Sequence, residues 1–372
     1  MGVFLSNTPL TDAERSLHTS ERFVFIDGLR GIAAIAVVLF HFHHAMEGRP
    51  GFVMFLGPVH WLFKEAWLEV EVFFVISGFV IAHSLRKITA TWSFIGHFAL
   101  RRSLRLDPPY WTTIAAVTLS LWLSARLHPG RPNPATPRVV LANMFYVQYI
   151  LNFPPLLDIF WTLCLEVQFY LLCVLLLHLT QPVRATHVPS STAYIVAMSA
   201  IFSIAANFSG HSFAGWFIDY WYMFAGGLLA YWTWRRILSP VAFAVYLIAV
   251  IGLSVLHRDL APMVIAFTSL IIYIAAIRGR LTVWLGGCLW QSMGKISYSL
   301  YLSHGVFAGA MFDYGLRLLG PSTFGSLACF IIVLIVSLGL AVLMYLLVER
   351  PSHRFSSRVG LAQKNRIALV SA

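Results

Sequence analysis

The chain has 372 residues, 59% of them hydrophobic and only 11% charged, where an ordinary soluble domain carries roughly a quarter charged. Lys and Arg number 26 against 15 Asp and Glu, for a net charge of +11, and the mean hydropathy is +0.76. So few charges cannot cover a water-soluble globule of this size, so the composition excludes a soluble fold and points to an all-α, polytopic membrane bundle.

A bilayer-spanning helix needs about 20 mostly apolar residues. Ten stretches qualify: 25–46, 67–85, 109–126, 159–179, 191–208, 217–233, 239–256, 260–277, 296–316 and 325–348. The segment 139–152 is too short to span and is predicted to lie at an interface or re-enter. With a cytoplasmic N-terminus, 18 Lys and Arg fall on the cytoplasmic side and 7 on the other, leaving Arg30 inside the first span. The positive-inside rule then puts both termini in the cytoplasm and explains the basic balance without a nucleic-acid partner. Residues 1–24 read as a cytoplasmic N-terminal segment, 25–348 as one membrane domain, and 349–372 as a basic cytoplasmic tail. The first span follows mostly polar residues and is too long for the h-region of a cleaved leader. Cys164, Cys173, Cys288 and Cys329 have no metal-like or disulfide-like spacing and are expected to pack as small hydrophobes.

Ionisable groups inside spans are costly, so they mark function first. The first span carries Arg30 and, eleven positions on, His41. At 100° per residue that separation closes to within about 20° of three full turns, and the two side chains share one stripe, roughly 16 Å apart along the axis. The stripe reads as a path through the bundle; the competing reading has Arg30 snorkelling to headgroups and His41 as a hydrogen-bonded core histidine. His43 and Glu47, with His44 between them, suggest a metal site. No HExxH pattern or second ligand cluster accompanies them, so no metal is expected.

The second span carries Glu69 and Glu71 near its outer end and Ser77-Gly78 near its middle. In the loop that follows, Arg102 and Arg105 stand at i and i+3 on one helical face, a natural seat for phosphates. The same arginines also read as topology signals or lipid contacts. The fourth span places Glu166 about two turns deep, level with His41, where a carboxylate can orient the imidazole and stabilise its cation. A buried structural ion pair, or a protonated glutamic acid bonded between helices, is the alternative. The ninth span offers Tyr298 and His304 as cavity-lining groups, and Gly305 and Gly309 at GxxxG spacing, which reads as close helix packing.

Taken together these segments resemble acyltransferase family 3, the integral membrane acyltransferases. The matching pieces are Asp27-Gly28-Leu29-Arg30-Gly31 with His41, Glu71-Val72-Phe73-Phe74-Val75-Ile76-Ser77-Gly78, and Arg102 with Arg105. Further on come Trp161-Thr162-Leu163 with Glu166 and Phe169-Tyr170, the run from Lys295 to His304, and Glu349-Arg350-Pro351. They occur in family order and span nearly the whole chain. The resemblance implies acyl transfer, usually of acetyl from acetyl-CoA, to hydroxyls of surface glycans, glycolipids or antibiotics, with Arg30 and His41 as the functional core. It carries over Glu71, Ser77, Trp161, Tyr170, Tyr298 and His304 as substrate-binding or cavity residues. Glu71 stands where many relatives have Asp, and Thr162 where Ser is common. Some relatives carry a C-terminal SGNH-hydrolase-like domain; with 21 residues after Pro351, none is expected here.

The expected scheme follows. Arg30, Arg102 and Arg105 hold the phosphates of a cytoplasmic acyl-CoA, which is a donor substrate and not a resident cofactor, while its pantetheine arm reaches toward His41. His41, partnered by Glu166, takes a proton from the acceptor hydroxyl; an acyl-histidine intermediate is the alternative. The acceptor is expected to be an exopolysaccharide or lipopolysaccharide unit at a bacterial inner membrane, with membrane lipids and a glycan-assembly complex as partners. A flippase or exporter of lipid-linked glycans, or a glycan polymerase, would share the spans and the intramembrane charges; consumption of the thioester separates them.

Overall fold

The computed structural model describes residues 22–49, 52, 60–127, 134–182, 185, 187–210, 213–320 and 322–359. Residues 1–21 of the expected N-terminal segment, 128–133 of the Pro-rich loop and 360–372 of the expected tail lie outside the described residues. All regular structure among the described residues is helical.

In chain order the helices are α1 (Val24–Met46), the short α2 (His60–Lys64), α3 (Glu69–Ser84), α4 (Trp92–Leu127), α5 (Pro137–Met144) and α6 (Phe160–Thr180). They continue as α7 (Ser190–Phe208), α8 (Trp221–Trp234), α9 (Pro240–His257), α10 (Ala261–Ile277), α11 (Cys288–Leu319) and α12 (Thr323–Met344). Local chemistry sets several starts. Thr136, Ser239 and Ser322 each accept a hydrogen bond from the backbone N–H three residues on, and a proline follows at once in the first two cases. Among the described residues, six helices are long and apolar enough to cross a membrane: α1, residues 65–84, α6, α7, α9 and α12 with its extension. The chain is thus a multi-pass membrane protein, and each of the ten expected spans falls on a helix. Residues 139–152 form only the end of the eight-residue α5 and the turns after it.

Three helices outrun their expected limits. α11 begins at Cys288 and not near 296. α4 begins at Trp92 and not near 109, running straight through Pro108 and Pro109. These prolines cannot donate to the carbonyls of Leu104 and Arg105, yet the helix holds, so Arg102 and Arg105 sit on the same rod as the span. α12 does not stop near 348. It passes through one wide π-type turn at Tyr345–Glu349 and stays helical to residue 359, so the first part of the expected tail is an extension of the last helix.

Packing between helices in lipid rests on close van der Waals fit and not on apolar burial from water. Two glycine contacts fix the frame. A Cβ on Gly31 of α1 would lie 2.8 Å from the backbone N of Gly294 on α11, so these helices touch backbone to backbone. They run parallel and in register, because His41 meets His304 at the same 263-residue offset that joins Gly31 to Gly294. Between α3 and α8, a Cβ on Gly78 would fall 2.0 Å from the Phe224 carbonyl and one on Gly227 1.8 Å from that of Val75. The crossing is filled by Phe169 stacked on Phe224 at 3.9 Å, with Phe74 beside them at 4.4 Å from Phe224. Gly305 and Gly309 depart from expectation: a Cβ on either meets nothing within 4 Å among the described residues, so this GxxxG is no helix seam. Three of the cysteines are buried as expected, while Cys288 is exposed at the start of α11.

Candidate active site

Arg30 sits on α1 beside Gly31, where α11 comes closest, and its side chain reaches a space enclosed by α3, α4, α6 and α11. That space is a cavity of about 110 Å³ whose walls include Arg30, Ser77, Arg102, Arg105, Glu166, Tyr170 and Tyr298. Seven residues singled out from five separate stretches of sequence therefore converge.

Glu166 is the acidic centre of this cavity. Its Oε1 accepts from Ser77 Oγ at 2.9 Å and from the Tyr170 hydroxyl one turn further along α6, and Arg102 Nη2 lies 3.7 Å away. The Arg102 guanidinium also stacks over the Tyr170 ring, 3.4 Å from its centroid. Thr162, Glu166 and Tyr170 follow at intervals of four, so one face of α6 supplies all three. Across the cavity, the Tyr298 hydroxyl donates to the Leu106 carbonyl at 2.9 Å and ties α11 to α4.

At the end nearest His304, the Thr162 hydroxyl lies 2.6 Å from that of Tyr301, which donates to the Ile159 carbonyl at 2.9 Å. One turn beyond Tyr301, the His304 ring centroid is 5.0 Å from that of His41. Both imidazoles are held by backbone. His41 Nδ1 is 2.9 Å from the Val37 carbonyl, and His304 Nδ1 is 2.8 Å from that of Tyr301 and 3.1 Å from that of Leu300. A carbonyl can only accept, so each Nδ1 carries the proton and each neutral ring keeps its lone pair on Nε2. The Nε2 of His304 is buried with no hydrogen-bond partner among the described residues.

The expected pairing of Glu166 with His41 is not what the fold brings together. Equal depth leaves the direction around each helix axis open: Glu166 faces Ser77 and Arg102, whereas His41 faces α11, and its neighbour is His304. Arg30 and His41 do share one helix and one partner, α11, as their spacing requires. Trp161 packs against Phe74 and Tyr220, with ring centroids 5.9 and 5.2 Å away, outside the cavity lining. Glu71 is buried with Oε2 lacking a hydrogen-bond partner among the described residues, and it too lies outside that lining. His43 Nε2 is 2.8 Å from His60 Nδ1, and Glu47 pairs with His44 at 3.3 Å, so the presumed i, i+4 partners His43 and Glu47 each face another side chain.

Across residues 23–346 the chain matches the family model described as an acyltransferase domain. The chain belongs to acyltransferase family 3. Among its relatives is a protein of Komagataeibacter xylinus named as a membrane-bound transacylase, BcsY, 28% identical over 92% of this chain and 86% of that protein. The chain is also 26% identical to the peptidoglycan O-acetyltransferase OatA of Listeria monocytogenes, over 43% of this chain and 25% of OatA. A shorter match, 32% identical over 31% of the chain, is to protein 2 in the picA locus of Rhizobium radiobacter. No solved structure matches the chain. This family 3 member is an acyltransferase.

Sequence reasoning passed over three features of the acyltransferase's site. Thr162 and Tyr301 lay inside quoted motifs without a stated role, yet they close the cavity next to the histidine pair. Glu349, from the closing motif, accepts from both the backbone N–H and the hydroxyl of Ser299, fastening the end of α12 to α11. Arg350, His353, Arg354 and Ser357 line a second cavity; their spacing of i, i+3, i+4 and i+7 is helical, but they fall after 348, in the expected tail.

Proposed function

We propose that this acyltransferase moves an acyl group, acetyl first among them, from cytoplasmic acyl-CoA to a hydroxyl of a cell-surface or lipid-linked glycan, working in a bacterial inner membrane. The observation that carries the reading is the enclosed cavity that runs from the half-buried Arg30 and Arg105 to Thr162 and Tyr301, with the His41–His304 pair one turn beyond. Arginines at one end suit a phosphorylated donor, and an imidazole with a free Nε2 lone pair at the other suits a base. Two relatives, one named a transacylase and one a peptidoglycan O-acetyltransferase, support acyl transfer, and the second supports a glycan acceptor.

In this reading the thioester enters the narrow cavity past Arg30 and Arg105. His41 Nε2 takes the acceptor hydroxyl's proton as the oxygen attacks the thioester carbonyl; the proton then leaves with the CoA thiolate. Arg102 and Glu166, held by Tyr170 and Ser77, shape the passage between the two ends. The parallel course of α1 and α11 supports a ten-span topology with both termini cytoplasmic, because the first and ninth of ten alternating spans must run the same way. Membrane lipids surround the bundle, and a glycan-assembly complex is the natural supplier of acceptor.

The test is transfer by the purified protein from radiolabelled acetyl-CoA to a bacterial glycan extract. Label in the glycan with release of free CoA supports the reading. An intact thioester after incubation with enzyme and extract contradicts it and favours a glycan flippase, exporter or polymerase.

A further inference from the structure

A second cavity, of about 440 Å³, adjoins the first along Arg30 and Arg105, which line both. Its other walls come from α11 at Lys295 and from the helical extension of α12 at Arg350, His353 and Arg354. Five permanent cations thus face one space, and among the described residues none of them forms an ion pair. Of the two acids in its walls, Asp27 pairs with Arg22 at 2.8 Å, and Glu349, which accepts from Ser299, offsets part of the charge of Arg30 and Arg105. Five cations against these two carboxylates leave an excess of positive charge that calls for an anion.

The two cavities differ in a way that describes the ligand. The basic one falls within the range of about 300–1,000 Å³ usual for small-molecule sites, and the inner one is far narrower. Lys295, Arg350, His353 and Arg354 are exposed, while Arg30 and Arg105 behind them are half-buried. A molecule that fills both must be bulky and polyanionic at its exposed end and thin where it passes the arginine neck. Phosphate esters bearing a flexible chain have this form, and they include both acyl-CoA and anionic phospholipids. Several cations favour the ligand with several phosphates.

Resting on the acyl-CoA reading above, we infer that this vestibule seats the 3′-phosphate and diphosphate of the donor, with Lys295, Arg350 and Arg354 as its outer contacts and Arg30 and Arg105 as the neck through which the pantetheine arm enters the inner cavity. The anchoring of Glu349 on Ser299 holds the α12 extension in place, so the stripe Arg350, His353 and Arg354 is presented toward α11. Arg102 belongs to a different part of the route: its charge already faces Glu166 and Tyr170 inside the inner cavity.

The experiment uses the full chain in neutral phosphatidylcholine nanodiscs and compares wild type with Lys295→Gln/Arg354→Gln, both exposed positions whose exchange leaves the helices' buried contacts intact. Adenosine 3′,5′-bisphosphate is the binding probe, and KM is measured for acetyl-CoA and for its 3′-dephospho form. Wild type is expected to bind the bisphosphate and to favour acetyl-CoA by about tenfold or more in KM, one charge-assisted contact's worth. The variant should bind the bisphosphate at least tenfold more weakly and lose most of that preference through KM. If wild type transfers acetyl but the variant keeps both the preference and the bisphosphate affinity, the vestibule assignment is wrong and the acyl-transfer reading stands. If phosphatidylglycerol nanodiscs displace the bisphosphate from wild type, the space holds a lipid headgroup and the assignment is also wrong. A wild type that takes no acetyl from CoA overturns the acyl-transfer reading and this assignment with it.

Discussion

The imidazoles of His41 and His304 face each other across the parallel contact of α1 and α11, ring centroids 5.0 Å apart, each with Nδ1 against a backbone carbonyl of its own helix. Each ring so held keeps its Nε2 lone pair free of the backbone, and a charge arising on His41 is felt at once by His304, the imidazole in ring contact with it.

His304→Ala is therefore expected to lower kcat by about 10²-fold, at the lower end of what general acid–base groups contribute, with little change in donor KM. His41→Ala/His304→Ala should be no slower than His41→Ala alone, since the two act as one unit. Steady-state kinetics on all three variants decide this. Multiplying losses in the double variant would mean that His304 acts independently of His41.

Glu166 belongs to a network with Ser77, Tyr170 and Arg102. Glu166→Gln and Ser77→Ala should each cost about 1–3 kcal/mol of stability, the usual penalty for stranding a buried polar partner. In a double-mutant cycle their effects should fall short of additivity. Thermal unfolding in detergent measures the cycle, and strict additivity would separate the two residues.

Glycine contacts give a contrast within one molecule. Gly78→Ala and Gly227→Ala place a methyl about 2 Å from a backbone carbonyl and should destabilise by about 1–3 kcal/mol or more. Gly305→Ala and Gly309→Ala enter open space and should be neutral or stabilising by up to about 1 kcal/mol. Melting temperatures that fall for the second pair as much as for the first would contradict the helix packing.

Topology is checked by reporter fusions. The charge bias puts 18 Lys and Arg on one side and 7 on the other, so a reporter inserted in residues 128–138 and one at the C-terminus should report opposite sides. Agreement between the two would rule out the ten-span arrangement.

Particular elements show how far the sequence could be read. α1, α6 and α10 lie within a residue or so of their expected limits, because uninterrupted apolar runs between polar or Pro-marked ends leave little choice. α4 was expected to begin near 109 because prolines usually mark a helix start, but neighbours in a bundle can hold a proline-interrupted rod together. The extension of α12 was missed because the apolar run ends at 348 while the helix does not, and with it the basic stripe. The spacing of Arg30 and His41 gave their common face, since that depends only on helical pitch. Glu166 was given the wrong neighbour because depth in the membrane is legible in sequence and the rotation of one helix against another is not. Gly305 and Gly309 had the spacing of a helix seam without a partner helix to make one.

The central claim is that the donor is held at the arginine end and reacts at the histidine end. It is tested most directly by measuring, on the same preparations, binding of a non-hydrolysable acyl-CoA analogue by calorimetry and transfer of labelled acetyl to a glycan extract. His41→Ala should cut transfer by about 10²–10⁴-fold and bind the analogue as wild type does, because the base acts on the acceptor in the transition state. Arg30→Ala/Arg105→Ala should weaken analogue binding by about 10-fold to 100-fold, with the loss in transfer appearing in the donor KM. Full transfer by a well-folded His41→Ala, or wild-type affinity for the analogue in the double arginine variant, would contradict the account.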